Sequence, residues 1–339
     1  MTTPRRAARV LVLTGFLFAS TGLAQPGAQP ERPTASQAPA ASPTDPLAPG
    51  GVAFDPSAPS ALEVKRTPTG HLLVRPMVNG RAPGWFIFDT GAGVCVIAKS
   101  VAESLDLRRA GQVDAVGVGG DANASPVFRA STIALGPVTL TDHPVMLADL
   151  AFLKQHLGDE IAGVIGYGLL SRCVAEIDIG APRIALHAPD AFELASRAGD
   201  APPPAWTDLV LNDRVPAVRA RFEGREGLFR LDTGANSAVT FHQPAVEKWS
   251  LLDGREVTDA RLGGVGGFVA AKRGRVAWFE LGGVRTENVD AMFAVEAKGT
   301  FANATKDGNI GADLLRRFTI VTDYTNRRIA FIPKPPPAK

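Results

Sequence analysis

The sequence has few of the residues that build metal, redox or membrane-embedded proteins. Of its 339 residues, two are Cys, four are Met and five are His. Neither a CxxC pair nor a His cluster occurs, so the spacing that holds structural zinc is missing. Long heptads and long apolar helices are also missing, which excludes a coiled coil and a membrane bundle. The sequence predicts no metal and no cofactor.

Other functional classes lack their signatures too. No Gly-x-Ser-x-Gly motif is present, which disfavours a serine hydrolase. No basic stripe with interleaved aromatic residues is present, so we expect no nucleic-acid partner. The histidines follow no metal-like spacing and are interpreted as surface or packing residues: His71, His143, His156, His187 and His242. Hydrophobic content of 45% and charged content of 21% fit a globular protein with a core.

The first 24 residues differ from the rest of the chain. Three Arg precede an apolar run over residues 10–18, and small residues follow at 22–24. This pattern predicts a signal peptide over residues 1–24 and export to the periplasm or the extracellular space. An uncleaved anchor helix is the alternative, although the run is short for a bilayer. Removing residues 1–24 changes the formal net charge from +2 to −1, because the segment holds three Arg and no acid.

Composition divides the remaining chain into segments. Residues 25–58 are rich in Pro, Ala, Ser and Gln, which predicts a disordered tether. A second Pro-rich break predicts an interlobe linker over residues 188–205. Two segments of about equal length remain, 59–187 and 206–333.

These two segments repeat each other in the same order. The offset between matching residues stays between 143 and 147, so a duplicated domain is the simplest explanation. Each copy consists of short apolar runs joined by Gly, Asn and Pro turns, with only a few short helical stretches, so we predict a mostly β fold. The matching pieces are Phe86–Ala92 with Phe229–Ala235, Gly117–Gly120 with Gly264–Gly267, Leu135-Gly136 with Leu281-Gly282, and Ile165–Arg172 with Ile310–Arg317.

The most specific repeated motif is Asp-Thr-Gly-Ala, which follows an apolar strand at residues 89–92 and again at 232–235. With these motifs the chain resembles the aspartic protease family. It is similar to pepsin-like enzymes in having two lobes on one chain, and to retroviral proteases in its motifs. The resemblance implies a two-lobed fold that duplicates a retropepsin-like β-barrel lobe, with Asp89 and Asp232 as the catalytic pair.

The chemistry explains why two copies are needed. Hydrolysis by water requires a base that deprotonates the water and an acid that protonates the substrate. Two carboxyl groups about 3 Å apart cannot both ionise readily, so they hold one proton between them and supply both roles. Such a pair titrates as a unit, and the sequence does not assign acid and base to Asp89 and Asp232.

The resemblance also implies roles for neighbouring residues. Thr90 and Thr233 would hydrogen-bond between the lobes. An apolar-apolar-Gly segment would pack beneath each active-site loop. The Ile-Gly segments Val164-Ile165-Gly166 and Asn309-Ile310-Gly311 lie at these places, the second with Asn at its first position. The remaining loop residues are Gly91, Ala92, Gly234 and Ala235. Two Gly-rich hairpin tips would form flaps over the substrate: Gly117, Val118, Gly119, Gly120, Gly264, Val265, Gly266 and Gly267.

The sequence therefore predicts an aspartic endopeptidase, a two-lobed monomer that acts on polypeptide in extended conformation. Two alternatives stay open: a non-catalytic peptide-binding module of the same fold, and a processing protease of the cell envelope with narrow specificity. Cys95 and Cys173 could form a disulfide in an exported protein or remain buried thiols.

Overall fold

A computed structural model of the chain describes residues 10–12, 18–20, 45–120, 123–197, 204–211 and 213–335. Most of the predicted signal peptide and most of the predicted tether lie outside these residues. Within them, no helix is long and apolar enough to cross a membrane.

The prediction of a mostly β fold with an internal duplication is confirmed. Within the described residues, the strands lie in three sheets. The first has eleven strands: Val10–Val12, Gly51–Phe54, Lys65–Arg66, Leu72–Val74, Met77–Val78, Trp85–Phe88, Cys95–Ala98, Arg108–Val116, Asn123–Leu135, Val138–Ala148 and Ile161–Ile165. The second has eight: Phe18–Ser20, Ala217–Phe222, Arg225–Asp232, Val239–Phe241, Thr258–Gly264, Gly267–Leu281, Val284–Ala294 and Gly308–Gly311. The third has five: Val174–Asp178, Arg183–His187, Thr207–Asp208, Phe318–Asp323 and Arg328–Pro333.

The helices are short, in line with the scarcity of helical stretches in the sequence. The α-helices span Lys99–Ala102, Lys154–Leu157, Tyr167–Leu170, Gln243–Lys248 and Ala312–Leu315. The 3₁₀ helices span Glu103–Leu105, Ala151–Leu153, Leu194–Arg197 and Gly299–Ala302. Because each is one or two turns long, packing against the sheets and not helix propensity stabilises them.

Strand pairing places the two repeated motifs in equivalent positions. In the first lobe, Trp85–Phe88 pairs in parallel with Ile161–Ile165. In the second lobe, Phe229–Asp232 pairs in parallel with Gly308–Gly311. Each Asp-Thr-Gly-Ala loop therefore begins beside the Ile-Gly segment of its own lobe.

The third sheet joins the lobes, because Val174–Asp178 pairs antiparallel with Phe318–Asp323. These strands are the equivalent closing segments of the two copies. Their side chains are almost all buried, so this shared sheet fixes the two lobes relative to each other.

The structure corrects the predicted end of the tether at residue 58. Gly51–Phe54 pairs antiparallel with Val138–Thr141, and the side chain of Leu47 is buried. The Pro-rich and polar composition of residues 25–58 as a whole masked this short apolar run, which forms a strand hydrogen-bonded to the first-lobe sheet. In the predicted linker, Leu194 packs against the third sheet in a 3₁₀ helix, while residues 198–203 lie outside the described residues.

Candidate active site

The two apolar strands that precede the motifs bring Asp89 and Asp232 together at the centre of the molecule. Phe86, Ile87 and Phe88 are buried before Asp89, and Leu231 is buried before Asp232. Both carboxyl groups are themselves 0% exposed. Acidic residues are rarely buried so completely unless they are partnered.

Thr90 and Thr233 tie the two loops together through reciprocal hydrogen bonds. Thr90 Oγ1 donates to Leu231 O at 2.7 Å and accepts the Thr233 N–H at 3.1 Å. Thr233 Oγ1 donates to Phe88 O at 3.0 Å and accepts the Thr90 N–H at 3.0 Å. These are the contacts that the family resemblance implies, and they fix the distance between the two Asp residues.

Gly91 and Gly234 leave room for the opposite carboxyl group. A Cβ atom on Gly91 would lie 2.5 Å from Asp232 Oδ1, and one on Gly234 would lie 2.5 Å from Asp89 Cγ. Both glycines also donate N–H bonds to Asp89 Oδ1, at 2.7 Å from Gly91 and 3.2 Å from Gly234. A side chain at either position would therefore separate the pair.

The Ile-Gly segments support the loops from below in both lobes. Ala92 O accepts the Tyr167 N–H at 2.8 Å, and Ala235 O accepts the Ala312 N–H at 2.7 Å. The glycine before each donor is required by space, since a Cβ on Gly166 would lie 2.4 Å from Ala92 O and one on Gly311 would lie 2.2 Å from Ser237 O.

Burial changes the protonation of the pair. Loss of solvent raises the pKa of Asp89 to about 6, although the N–H groups of Gly91 and Gly234 oppose this rise. Burial, followed by the negative charge of Asp89, raises the pKa of Asp232 well above its usual value, with Arg230 opposing. The pair therefore holds a proton near neutral pH.

One oxygen of each carboxyl group is available for further chemistry. Asp89 Oδ2 and Asp232 Oδ1 accept no hydrogen bond from the part of the chain that the structure describes. Buried oxygens of this kind normally have partners, so these two are the atoms at which a reacting water or carbonyl group could bind.

The Gly-rich tips lie at equivalent hairpins and meet each other. Residues 117–120 follow the strand Arg108–Val116, and Val265-Gly266 connects Thr258–Gly264 to Gly267–Leu281. The Val118 N–H donates to Val265 O at 2.7 Å. Val118 is buried in a cluster that includes Ala235 of the second active-site loop. The first lobe's tip thus packs against the other lobe's loop.

Comparison with protein families agrees with this geometry. The model of the aspartyl protease family matches residues 74–169 and 218–314, one match in each lobe. The chain belongs to the aspartyl protease family. No curated protein matches the chain.

In this member of the family the surroundings of Asp232 are polar, which the sequence analysis missed. The Asn309 side-chain amide lies with Nδ2 3.2 Å from Asp232 Oδ2 and Oδ1 2.9 Å from His242 Nε2. His242 is buried and packs against Phe301, as the sequence analysis expected of a packing residue, and its ring also contacts the partner of the Asp232 carboxyl group. Asn309 was the available signal, since the first copy has Val164 at the same place.

A buried arginine adds to this polar region. Arg230 is 0% exposed, pairs with Asp213 at 2.9 Å and donates to Thr300 Oγ1 at 2.6 Å. The Thr300 N–H in turn donates to Gly117 O at 3.1 Å. Hydrogen bonds thus lead from the strand before Asp232 to the Gly-rich tip of the other lobe.

The structure also places His71 and the two cysteines. His71 Nε2 lies 3.0 Å from Gly234 O, so this histidine of the first lobe contacts the active-site loop of the second. Cys95 and Cys173 are buried free thiols in the structure, and burial raises the pKa of both.

Proposed function

We propose that the chain is an aspartic endopeptidase that hydrolyses peptide bonds with a water activated between Asp89 and Asp232. The observation that carries this proposal is the pair of fully buried carboxyl groups, whose loops are held together by the hydrogen bonds of Thr90 and Thr233. One carboxylate takes a proton from the water, and the other carboxyl group protonates the carbonyl oxygen.

The buried setting supports this chemistry. Because charge is costly there, the pair retains one proton at a pH where isolated carboxyl groups have lost theirs. Asp89 Oδ2 and Asp232 Oδ1 are the atoms that would contact the water and the scissile carbonyl group. An extended peptide would lie between the loops and the flaps, pairing with the flap backbone as an added strand.

Export and a monomeric state belong to the same proposal. The basic and apolar pattern of residues 1–24 supports an exported protein. The presence of both lobes on one chain supports a site that needs no second copy. Narrow-specificity processing is a form of the same activity, whereas a peptide-binding module would use the cleft without cleavage.

Cleavage of an unfolded protein mixture and of a peptide library tests the proposal. We expect Asp89→Asn and Asp232→Asn each to lower kcat/KM by at least about 10³-fold, because each removes one of the two proton-transfer groups. Asp259→Asn, which changes an exposed carboxylate, serves as the matched control and should leave cleavage unchanged.

Circular dichroism would establish that the variants are folded. Cleavage by Asp89→Asn at the wild-type rate would overturn the mechanism. Peptide binding by the wild type without any cleavage would favour the binding module instead.

A further inference from the structure

His242 is fully buried, and the atoms around its ring constrain where its proton lies. Nδ1 lies 3.1 Å from Lys306 O and 3.4 Å from Asn303 O. A backbone carbonyl oxygen only accepts hydrogen bonds, so Nδ1 must carry a proton. The state of Nε2 then depends on the Asn309 amide, 2.9 Å away.

The Asn309 amide can face His242 in two ways. With Oδ1 toward Nε2, both ring nitrogens need protons, and the buried ring becomes an imidazolium cation beside an Asp232 carboxylate. A half-turn of the amide exchanges Oδ1 and Nδ2 at nearly the same positions. Nδ2 then donates to a neutral ring, and Oδ1 faces Asp232 Oδ2, which must carry a proton and donate it.

These two arrangements contain the same number of protons and differ only in where one of them lies. Counting His242 and Asp232 alone, the first arrangement buries two charges, and the second buries none. Burial, followed by the charge of Arg230, lowers the pKa of His242 to about 4, while its hydrogen bonds oppose this shift. Arg230 disfavours the imidazolium but favours the carboxylate, so it does not decide between the arrangements. Desolvation decides, because it disfavours both charges of the first arrangement.

We infer that Asn309 and His242 hold the shared proton of the dyad on Asp232, which leaves Asp89 as the ionised carboxylate. The surroundings of Asp89 fit this assignment, since its Oδ1 accepts N–H bonds from Gly91 and Gly234, and such donors stabilise a carboxylate. Asn309 and His242 act as positioning residues. The inference rests on the proposed function and assigns the two roles within it.

The assignment gives a balanced first step. Asp89 takes one proton of the water while the water oxygen bonds to the carbonyl carbon. Rotation about the Cγ–Oδ2 bond turns the Asp232 hydroxyl from Asn309 to the side on which Oδ1 faces the carbonyl group. Its O–H bond then breaks, and its proton passes to the carbonyl oxygen. Asp89 is then protonated and Asp232 is ionised, and Asp89 has the proton that the leaving nitrogen needs.

The pH dependence of kcat/KM tests the direction of this effect. Asn309→Val gives the second lobe the residue that the first lobe has at 164 and removes the acceptor for the Asp232 proton. We expect the alkaline limb of the profile to move to lower pH by about one unit, the equivalent of one buried hydrogen bond. A shift to higher pH, or no shift, would overturn the inference. Val164→Ala, a matched change beneath Asp89 without a polar contact, should leave the limb in place.

The tautomer of His242 supplies a second measurement that needs no proteolysis. In ¹⁵N-histidine-labelled wild-type protein at pH 7, with His242 assigned by its loss in His242→Gln, we expect a neutral ring protonated at Nδ1 only. An imidazolium, or a ring protonated only at Nε2, would sink the inference even in an active enzyme. The expected tautomer in an inactive protein would instead separate this inference from the failure of the proposed function.

Discussion

The two lobes place different side chains beneath equivalent carboxyl groups. In the first lobe, three buried apolar residues lie below Asp89 at the positions that the second lobe fills with polar side chains: Ile87, Ala98 and Val164. Strand register makes these the counterparts of the second lobe's Arg230, His242 and Asn309. The backbones match, since both lobes keep the Thr cross-links and the Ile-Gly support.

This difference separates the features that both lobes must supply to the Asp89–Asp232 pair from those that one lobe alone supplies. Close approach of two carboxyl groups requires a threonine and two glycines from each side, so these features are symmetric. A proton shared by two groups can lie on only one of them at a time. An assembly of two identical chains gives both groups the same surroundings, whereas a single chain can make them different.

The largest expected effect on stability comes from replacing the buried Arg230 by isoleucine, the residue that the first lobe has at 87. Arg230→Ile should lower the free energy of unfolding by about 3 kcal/mol, because it leaves the Asp213 carboxylate with only the longer 3.8 Å contact to Lys306. Urea denaturation at pH 7 measures this loss.

A second substitution isolates the cause of that loss. Adding Asp213→Asn to Arg230→Ile should restore part of the stability, since the poorly paired carboxylate is then removed. If Arg230→Ile is as stable as the wild type, the polar residues of the second lobe are not needed for folding, and the lobes are interchangeable at this position.

The symmetric features were the ones that the sequence could predict. Asp-Thr-Gly-Ala and Ile-Gly occur twice in order, so repetition separates them from ordinary turns, and the motif pairs locate Asp89 and Asp232 without coordinates. The mostly β fold could be predicted for the same reason, because each copy repeats the same alternation of short apolar runs and turns.

The asymmetric features could not be predicted in the same way. Arg230 and Asn309 appear only as departures from the first copy, and their meaning depends on contacts with Asp213 and His242, which are distant in sequence. His242 in particular has no local signal, since a lone histidine before a short helix is usually a packing residue. The strand at Gly51–Phe54 escaped because its partner strand begins 84 residues later.

A smaller effect tests whether burial raises the pKa values of the dyad. The Asp89 carboxyl group titrates near 3.8 in the unfolded chain and near 6 in the folded protein, so its stabilising effect is complete below pH 3.8 and is lost as the pH rises through 6. Asp89→Asn should therefore be more stable than the wild type at pH 7, by less than the loss expected for Arg230→Ile, and almost equally stable at pH 3.5.

Urea denaturation of both proteins at the two pH values measures that difference. His71, His143 and His242 are buried and have pKa values near 4, so the folded protein loses stability as the pH falls from 6.5 to 4. This loss is the same in the wild type and in Asp89→Asn, and it cancels in the difference between them. The same stability difference at both pH values would mean that Asp89 is not destabilised by burial. Asp232→Asn should gain at least as much at pH 7, because the pKa of Asp232 is raised further.

The smallest expected effect concerns the symmetric part of the site. Thr90→Ala and Thr233→Ala each leave one buried carbonyl oxygen, Leu231 O or Phe88 O, without its hydroxyl donor, so each should cost about 2 kcal/mol of unfolding free energy. Serine at either position keeps the hydroxyl and should recover most of the loss. Because the four hydrogen bonds are reciprocal, the two alanine variants should agree within about 0.5 kcal/mol, and the double variant should cost less than their sum. Unequal losses of unfolding free energy would show that the polar surroundings of Asp232 also act on the threonine contacts. The difference between the lobes would then extend to the hydrogen bonds that hold Asp89 and Asp232 together.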